Sequence, residues 1–310
     1  MKKWILKAIV QKTISYLPFS NRINHIFQKY ITKGVYLSDE YFYDRLDHAR
    51  NHLKGFSKFS KFKIPETCLE LGTGWYPIVP ISFYLIGTIK TYSVDISFLA
   101  SKERIKTTIE KFIEAGRLGK LKNYIQYKED KYNNLRLLIK NYDAYSLKQI
   151  LEKLNLVYLI EDARNLSLHD NSVDLVTSNN TFEHIYPNIL IPIMMEFKRV
   201  VNKNNGVMSH FIDMSDHFAH FDKSINIYNF LQFSDNQWKW IDNNIQPQNR
   251  LRFDDYKKIY RDLELPISEQ SFREGSLNEV EMTNIDKKYI HKPKEVIAIS
   301  HCHLISDMAN

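Results

Sequence analysis

Residues 67–77, TCLELGTGWYP, constrain the fold more than any other stretch. Thr67, Cys68, Leu69 and Leu71 are strand-compatible positions that run into Gly72-Thr73-Gly74. After Pro77 the apolar stretch IVPISFYLIG begins. A buried strand, a tight glycine turn and a helix start, in that order, bring backbone close to a ligand and offer it the positive end of a helix. A Gly-x-Gly alone is a weak signal, so residues at the right distances beyond it must support it.

The chain continues in the same rhythm. KTYSVD (90–95) is a short second strand ending in an acid, and residues 99–115 are helical. The polar stretch 119–155 holds two helical patterns, KYNNLRLLIKNY and YSLKQILEKLNL. LVYLI (156–160) is a third strand ending at Glu161-Asp162-Ala163, and SVDLVTS (172–178) a fourth. A helix over 187–202 turns the apolar side of IMMEFKRVV inward, and Gly206 opens a fifth strand, VMSHFID. Strands separated by helices imply parallel pairing with right-handed crossovers, and sites in such sheets gather at the carboxyl ends of the strands. That rule makes neighbours of Gly72 to Gly74, Asp95, Asp162, Ser178 to Asn180 and His210 to Asp213. Residues 226–260, rich in Asn, Gln, Trp and Arg with weak periodicity, read as a lid-like insertion after strand five, at about 214–262. Residues 267–275 and 294–305 supply the last two strands, with an antiparallel end to the sheet.

The chain has 310 residues and no run of eighteen apolar ones, so no spanning helix is expected. Its charge of +7 is unevenly spread: residues 1–66 hold 13 Lys or Arg against 5 Asp or Glu, while the remainder is nearly balanced. Residues 1–60 therefore read as a basic helical extension, with a break near Leu17-Pro18, and residues 61–310 as the main domain. In YLSDEYFYDRLDHARNHLKGF a helix starts at Ser38 to Glu40 and places Phe42, Leu46, Ala49 and Leu53 on one face. The opening, MKKWILKAIVQKTISYLPF, packs on the main domain in the favoured reading. The alternative is a lysine-rich helix in peripheral contact with the inner face of an anionic membrane. The basic residues are scattered and no recognition module is visible, so nucleic acid is not an expected partner. Cys68 and Cys302, both in apolar strand-like runs, read as buried thiols of a reducing, cytoplasmic compartment.

Asp95 follows Gly72 by 23 residues, at the end of the second strand, where a carboxylate accepts both hydroxyl protons of an adenosine ribose. That suits NAD or S-adenosylmethionine. A dinucleotide asks for a third glycine where this chain has Pro77, which also lacks an N–H donor. Glu70, just before the turn, opposes a pyrophosphate and suits an ammonium group.

With these residues in view, the sequence resembles the class I S-adenosylmethionine-dependent methyltransferases, in their small-molecule branch. The resemblance rests on ELGTG (70–74), VD (94–95), EDARNLSLHDNSVDLVTSNNTFEHI (161–185) and FKRVVNKNNGVM (197–208), and spans roughly residues 60–215. It implies an α/β, Rossmann-like fold: a seven-stranded, mostly parallel sheet with helices on both faces and a final antiparallel hairpin. It implies S-adenosylmethionine as cofactor, with Glu70, Gly72, Thr73 and Gly74 around the methionine moiety. Asp95 and Ile96 would lie at the ribose, Asp162 and Ala163 at the adenine, and Asn179 near the transferred methyl.

In-line methyl transfer needs proximity, alignment and, for a hydroxyl acceptor, a base. His184 in NNTFEHI is the first candidate, and the alternative is a histidine that fixes the loop. Asp213 with His217, in SHFIDMSDHFAHFD, is the second. That cluster, with His210, Asp216 and His220, could instead be a structural network or hold a divalent metal; no metal is expected on balance. His210, His220, Trp240, Arg250 and Arg252 are candidate acceptor contacts, the arginines for a carboxylate or phosphate and the tryptophan for a ring or sugar face. His301 and His303 flank Cys302 on the last strand and read as surface or pocket-edge residues. The expected function is methyl transfer to a small-molecule acceptor, a hydroxyl of a sugar- or lipid-linked metabolite. An NAD-dependent oxidoreductase and a non-catalytic cofactor-binding scaffold are the alternatives.

Overall fold

The structure is a computed structural model and describes residues 2–16 and 36–309; the expected break at Leu17-Pro18 lies outside them. Seven strands form one sheet: β1 Thr67–Leu71, β2 Lys90–Asp95, β3 Leu156–Ile160, β4 Leu175–Asn179, β5 Val207–Asp213, β6 Glu269–Arg273 and β7 His301–Asp307. Their order across the sheet is β3-β2-β1-β4-β5-β7-β6. Every pairing from β3 to β5 is parallel, and β7 runs antiparallel to both β5 and β6. This is the α/β, mostly parallel, seven-stranded fold expected.

Alternation along the strands assigns each residue to a face, because successive side chains of a strand point to opposite sides. Leu69, Leu71, Val176, Met208, Ile212, Cys302 and Leu304 pack in one cluster with α7 (Pro187–Val200) and α10 (Phe253–Asp262). Cys68, Leu175, Val207 and Ile305 pack on the other face with α2 (Asp39–Phe59) and α3 (Ile78–Ile86). The helix α2 starts where its sequence predicts. Ser38 Oγ accepts the Tyr41 N–H at 3.1 Å, and Asp39 and Glu40 sit in the first turn at the positive helix end. Phe42, Leu46 and Ala49 are its buried stripe, with Leu53 partly buried beside them. Gly55 lets the helix come close to β7: a Cβ there would lie 2.7 Å from Ile305 Cδ1.

The segment after β5 is helical, with α8 His217–Phe221 and α9 Asp235–Ile241 preceding α10. Helix α1 (Lys3–Ser15) lies against this segment. The Trp4 backbone N–H donates to Asp222 at 3.0 Å, its ring lies 5.8 Å from both Phe218 and Phe233, and Lys12 Nζ donates to the carbonyls of Lys239 and Asp242. The last strand differs from expectation. Residues 294–298 form a short helix, α12 (Lys294–Ala298), after α11 (Leu277–Met282), and β7 starts only at His301. The apolar run KEVIAI was read as strand; it is a turn of helix that seats Ile297 and Ala298 beside Tyr228 and Trp238. No helix among the described residues is long and apolar enough to cross a membrane.

Candidate active site

The parity that buries Leu69 and Leu71 under α7 turns Glu70 to the opposite face, towards α2. The same holds for Asn179 on β4, for Ser209, Phe211 and Asp213 on β5, and for His301 and His303 on β7. Asn179, Ser209, Phe211 and His303 meet residues of α2 at the carboxyl end of the sheet. Asn179 Nδ2 donates to Glu70 Oε1 at 2.9 Å, and Thr73 Oγ1 donates to Glu70 Oε2 at 2.6 Å. Ser93 Oγ donates in turn to Thr73 Oγ1, also at 2.6 Å. Asn179 Oδ1 accepts from His52 Nε2 at 3.0 Å, while Ser209 Oγ bridges His52 Nδ1 and His303 Nε2 at 2.7 Å each. With Glu70 ionised the directions close into one line: His303 Nε2–H to Ser209, Ser209 O–H to His52 Nδ1, His52 Nε2–H to Asn179, and the Asn179 amide to Glu70. Phe211 stacks between His48 and His303 at 3.8 Å from each.

Burial governs the electrostatics. It raises Glu70 to about 7, against the opposing bonds of Thr73 and Asn179. It lowers His52 to about 3 and His48 to about 2, so both rings are neutral donors and acceptors. Arg45 approaches this group, its guanidinium 3.2 Å from His48 Nδ1 and 3.1 Å from Asp44.

The glycine turn has the shape that a cofactor's approach requires. Gly72 and Gly74 have φ of +72° and +69°, a conformation that L side chains rarely adopt, and a Cβ on Gly72 would lie 2.6 Å from Thr181 Oγ1. Asp95, held above the usual carboxylate range by burial, accepts backbone N–H groups of Ser97, Ile96 and Gly74. A small cleft is lined by Glu70, Gly72, Thr73 and Asn179, with Tyr41 and Arg45 of α2 opposite. An acid beside an open glycine turn, and a second acid at the next strand end, fit the ammonium and ribose of S-adenosylmethionine. Ile96 is 84% exposed. Tyr41, Arg45, His48 and His52 went unread in the sequence, although their spacing along YFYDRLDHARNH is helical and marks a polar seam beside the apolar one.

Several expected contacts lie elsewhere. Asp162 is exposed and bound by Arg164 through side chain and backbone, which holds it down to about 2; Ala163 beside it is buried. His210 was expected to wall an acceptor pocket. It faces α7 instead, fully buried, with Nδ1 2.8 Å from Ser178 Oγ and its ring stacked on Phe182, because it occupies the opposite parity from Ser209 and Phe211. Neither arginine reaches into the cleft. The Arg250 guanidinium is bound by the carbonyls of Phe230 and Phe233 and by Asp235, and that of Arg252 by the carbonyls of Met214, Ile297 and Ile299. Trp240 points outward from α9, 79% exposed, and its neighbour Trp238 is the buried one. Buried His303, expected at the surface or a pocket edge, is part of the α2 network.

A second polar group surrounds Asp213. Burial alone would raise its carboxyl, but His217, His220 and His301 outweigh burial and hold it far below the usual range; their Nε2 atoms lie 3.5, 3.8 and 3.4 Å away. His220 is over half exposed and also 3.1 Å from Ser215 Oγ. His184 is anchored through Nδ1–H to the Pro247 carbonyl at 2.7 Å and meets the His217 ring edge-on at 4.8 Å. Glu183 was not foreseen. Both of its oxygens are buried without a side-chain partner, and burial followed by repulsion from Asp213 pushes its carboxyl well up.

A methyltransferase-domain family model matches residues 127–208. No curated protein matches. Among solved structures, a Pyrococcus horikoshii protein is 16% identical over 60% of this chain and 65% of its own, with a TM-score of 0.36. Phosphoethanolamine N-methyltransferase 2 of Haemonchus contortus, with S-adenosyl-L-methionine, is 12% identical over 90% of this chain and 58% of its own, TM-score 0.43. Geranyl diphosphate C-methyltransferase of Streptomyces coelicolor A3(2) is 9% identical over 83% and 78%, TM-score 0.42. The chain spans less than two thirds of the first two. Over residues 127–208 the chain is thus similar to methyltransferase domains, and its strand order and acid-flanked glycine turn are compatible with such a domain.

Proposed function

We propose that this chain methylates a hydroxyl of a small-molecule acceptor, sugar- or lipid-linked, using S-adenosylmethionine held across the tips of β1, β2 and β4. The observation that carries the reading is the Glu70–Asn179 pair beside Gly72 and Gly74, with Asp95 at the next strand end. The bound cofactor supplies an activated methyl group on its sulfonium. Glu70 takes the ammonium of its methionine end, and Arg45, across the cleft, takes the carboxylate. Asp95 takes the ribose hydroxyls. Asp162 reaches the adenine amine only on leaving Arg164, so its share is smaller than the sequence suggests. Asn179 acts as a positioning residue, since His52 and Glu70 fix its amide. The acceptor lies between this cleft and the group around Asp213, where His184 and His217 are the residues to take its proton. The fourth strand ends in SNNT, not in the NPPY type expected for methylation of amino groups on bases or amides.

The deciding experiment incubates the full chain with methyl-labelled cofactor and fractionated metabolite pools. The expected outcome is label in a hydroxylated small molecule, stable to treatments that cleave carboxyl esters. Label recovered on an amine or a carbon atom would overturn the acceptor assignment. Titration calorimetry with S-adenosylmethionine and with NAD tests the cofactor assignment by itself, and preference for NAD would overturn it.

A further inference from the structure

We propose that Glu183, His184 and His217 form a binding site for a first-row divalent transition-metal ion of the zinc type, at the tips of β4 and β5. One ligand atom from each of these residues lies within 4.8 Å of the others. Two imidazoles and one carboxylate are the donor set that such ions take, rather than magnesium or calcium, which prefer all-oxygen surroundings.

Three further observations point the same way. Glu183 is 3% exposed, and neither of its carboxylate oxygens has a side-chain partner. Such a group is costly to bury unless something charged completes it. His184 gives its Nδ1–H to the Pro247 carbonyl at 2.7 Å, which leaves the Nε2 lone pair free. That arrangement of a metal-binding histidine, oriented by a carbonyl behind it, is the usual one. His217 has its Nε2 buried 3.5 Å from Asp213 Oδ2, and its Nδ1 is 3.4 Å from Gln246 Nε2. A cation there would also separate two buried carboxylates, Glu183 and Asp213, that otherwise repel each other. Asp213, 3.5 Å from His217 Nε2, is placed to orient that ring.

The inference deepens the acceptor assignment and rests on it for one point. An ion at this end of the sheet would bind the acceptor oxygen and ease loss of its proton, a role otherwise left to His184 or His217 as base. The site itself stands without that reading.

The test uses the full chain, stripped with chelator and titrated with Co²⁺ as an optical stand-in, then with Zn²⁺ in competition. The expected result is one equivalent of Co²⁺ with visible d–d absorption that Zn²⁺ abolishes. Glu183→Gln and His217→Gln should each weaken it at least about tenfold. Glu183→Gln keeps the side chain's shape, and His217→Gln serves if that variant does not fold. Absence of a d–d spectrum in the wild type, or binding unchanged in both variants, would overturn the site. Calorimetry with S-adenosylmethionine on the stripped chain separates the two proposals. Metal binding without cofactor binding defeats the proposed function alone, and cofactor binding without metal binding defeats the metal site alone.

Discussion

His52, on α2, donates from Nε2 to Asn179 Oδ1 at 3.0 Å, and thereby ties the N-terminal helix to the tip of β4. The bond is partly buried, and the same amide holds Glu70. The helix read in the sequence as an added segment thus forms one wall of the cleft beside Glu70 and Gly72.

Removing the Asn179 amide should therefore act on both stability and binding. Asn179→Ala leaves His52 Nε2 and Glu70 Oε1 without this partner, which costs about 1–3 kcal/mol for a buried polar group. Urea unfolding should show that loss, and calorimetry a weaker affinity for S-adenosylmethionine. Unchanged cofactor affinity would remove Asn179 from the site.

Glu70 should impose a pH dependence of a defined sign. Its folded-state value is raised to about 7 by burial, above its ordinary value, so between about 4.5 and 7 the folded chain holds a proton that the unfolded chain has lost. Stability should fall as pH rises through that window and flatten above it. The whole effect is at most about 3 kcal/mol, and Glu70→Gln should abolish it. A bound ammonium favours the ionised carboxylate, so cofactor binding near pH 6 should release a proton and binding at pH 8 should not. Calorimetry in buffers of different ionisation enthalpy reads this directly.

Gly72→Ala should damage the turn for two separate reasons. The residue sits at φ +72°, and the added methyl meets Thr181 at 2.6–2.7 Å. We expect a loss of more than about 1 kcal/mol with a sharp fall in cofactor affinity. Thr181→Gly in the same chain should restore part of the stability by relieving the contact, leaving the φ strain.

Arg252→Met should separate fold from function. This guanidinium is fully buried and binds three carbonyls from the β5 exit and the segment before β7. Its loss should lower stability by roughly 3 kcal/mol, as for a broken buried network. Cofactor affinity below the unfolding temperature should stay within about twofold. A selective loss of acceptor use with full stability would return Arg252 to the acceptor site.

Much of this architecture was legible in the chain itself. The alternation of apolar strands with helical patterns dictated a parallel sheet, and the β2 boundaries and the start of α2 at Ser38 follow from local residues. The positive-φ turn at Gly72 and Gly74 was marked by its glycines, because backbone that must adopt positive φ leaves a residue-level trace. Tertiary packing decided which polar side chains meet. His210 and Phe211 are neighbours in sequence but face opposite sides of the sheet, and only the docking of α2 shows which side holds the cleft. The arginines of QNRLRF look like ligand-binding groups until the segments on either side close their carbonyls around them. Local sequence encodes dihedral preference and periodicity; the partner of a buried charge is set by elements tens or hundreds of residues away.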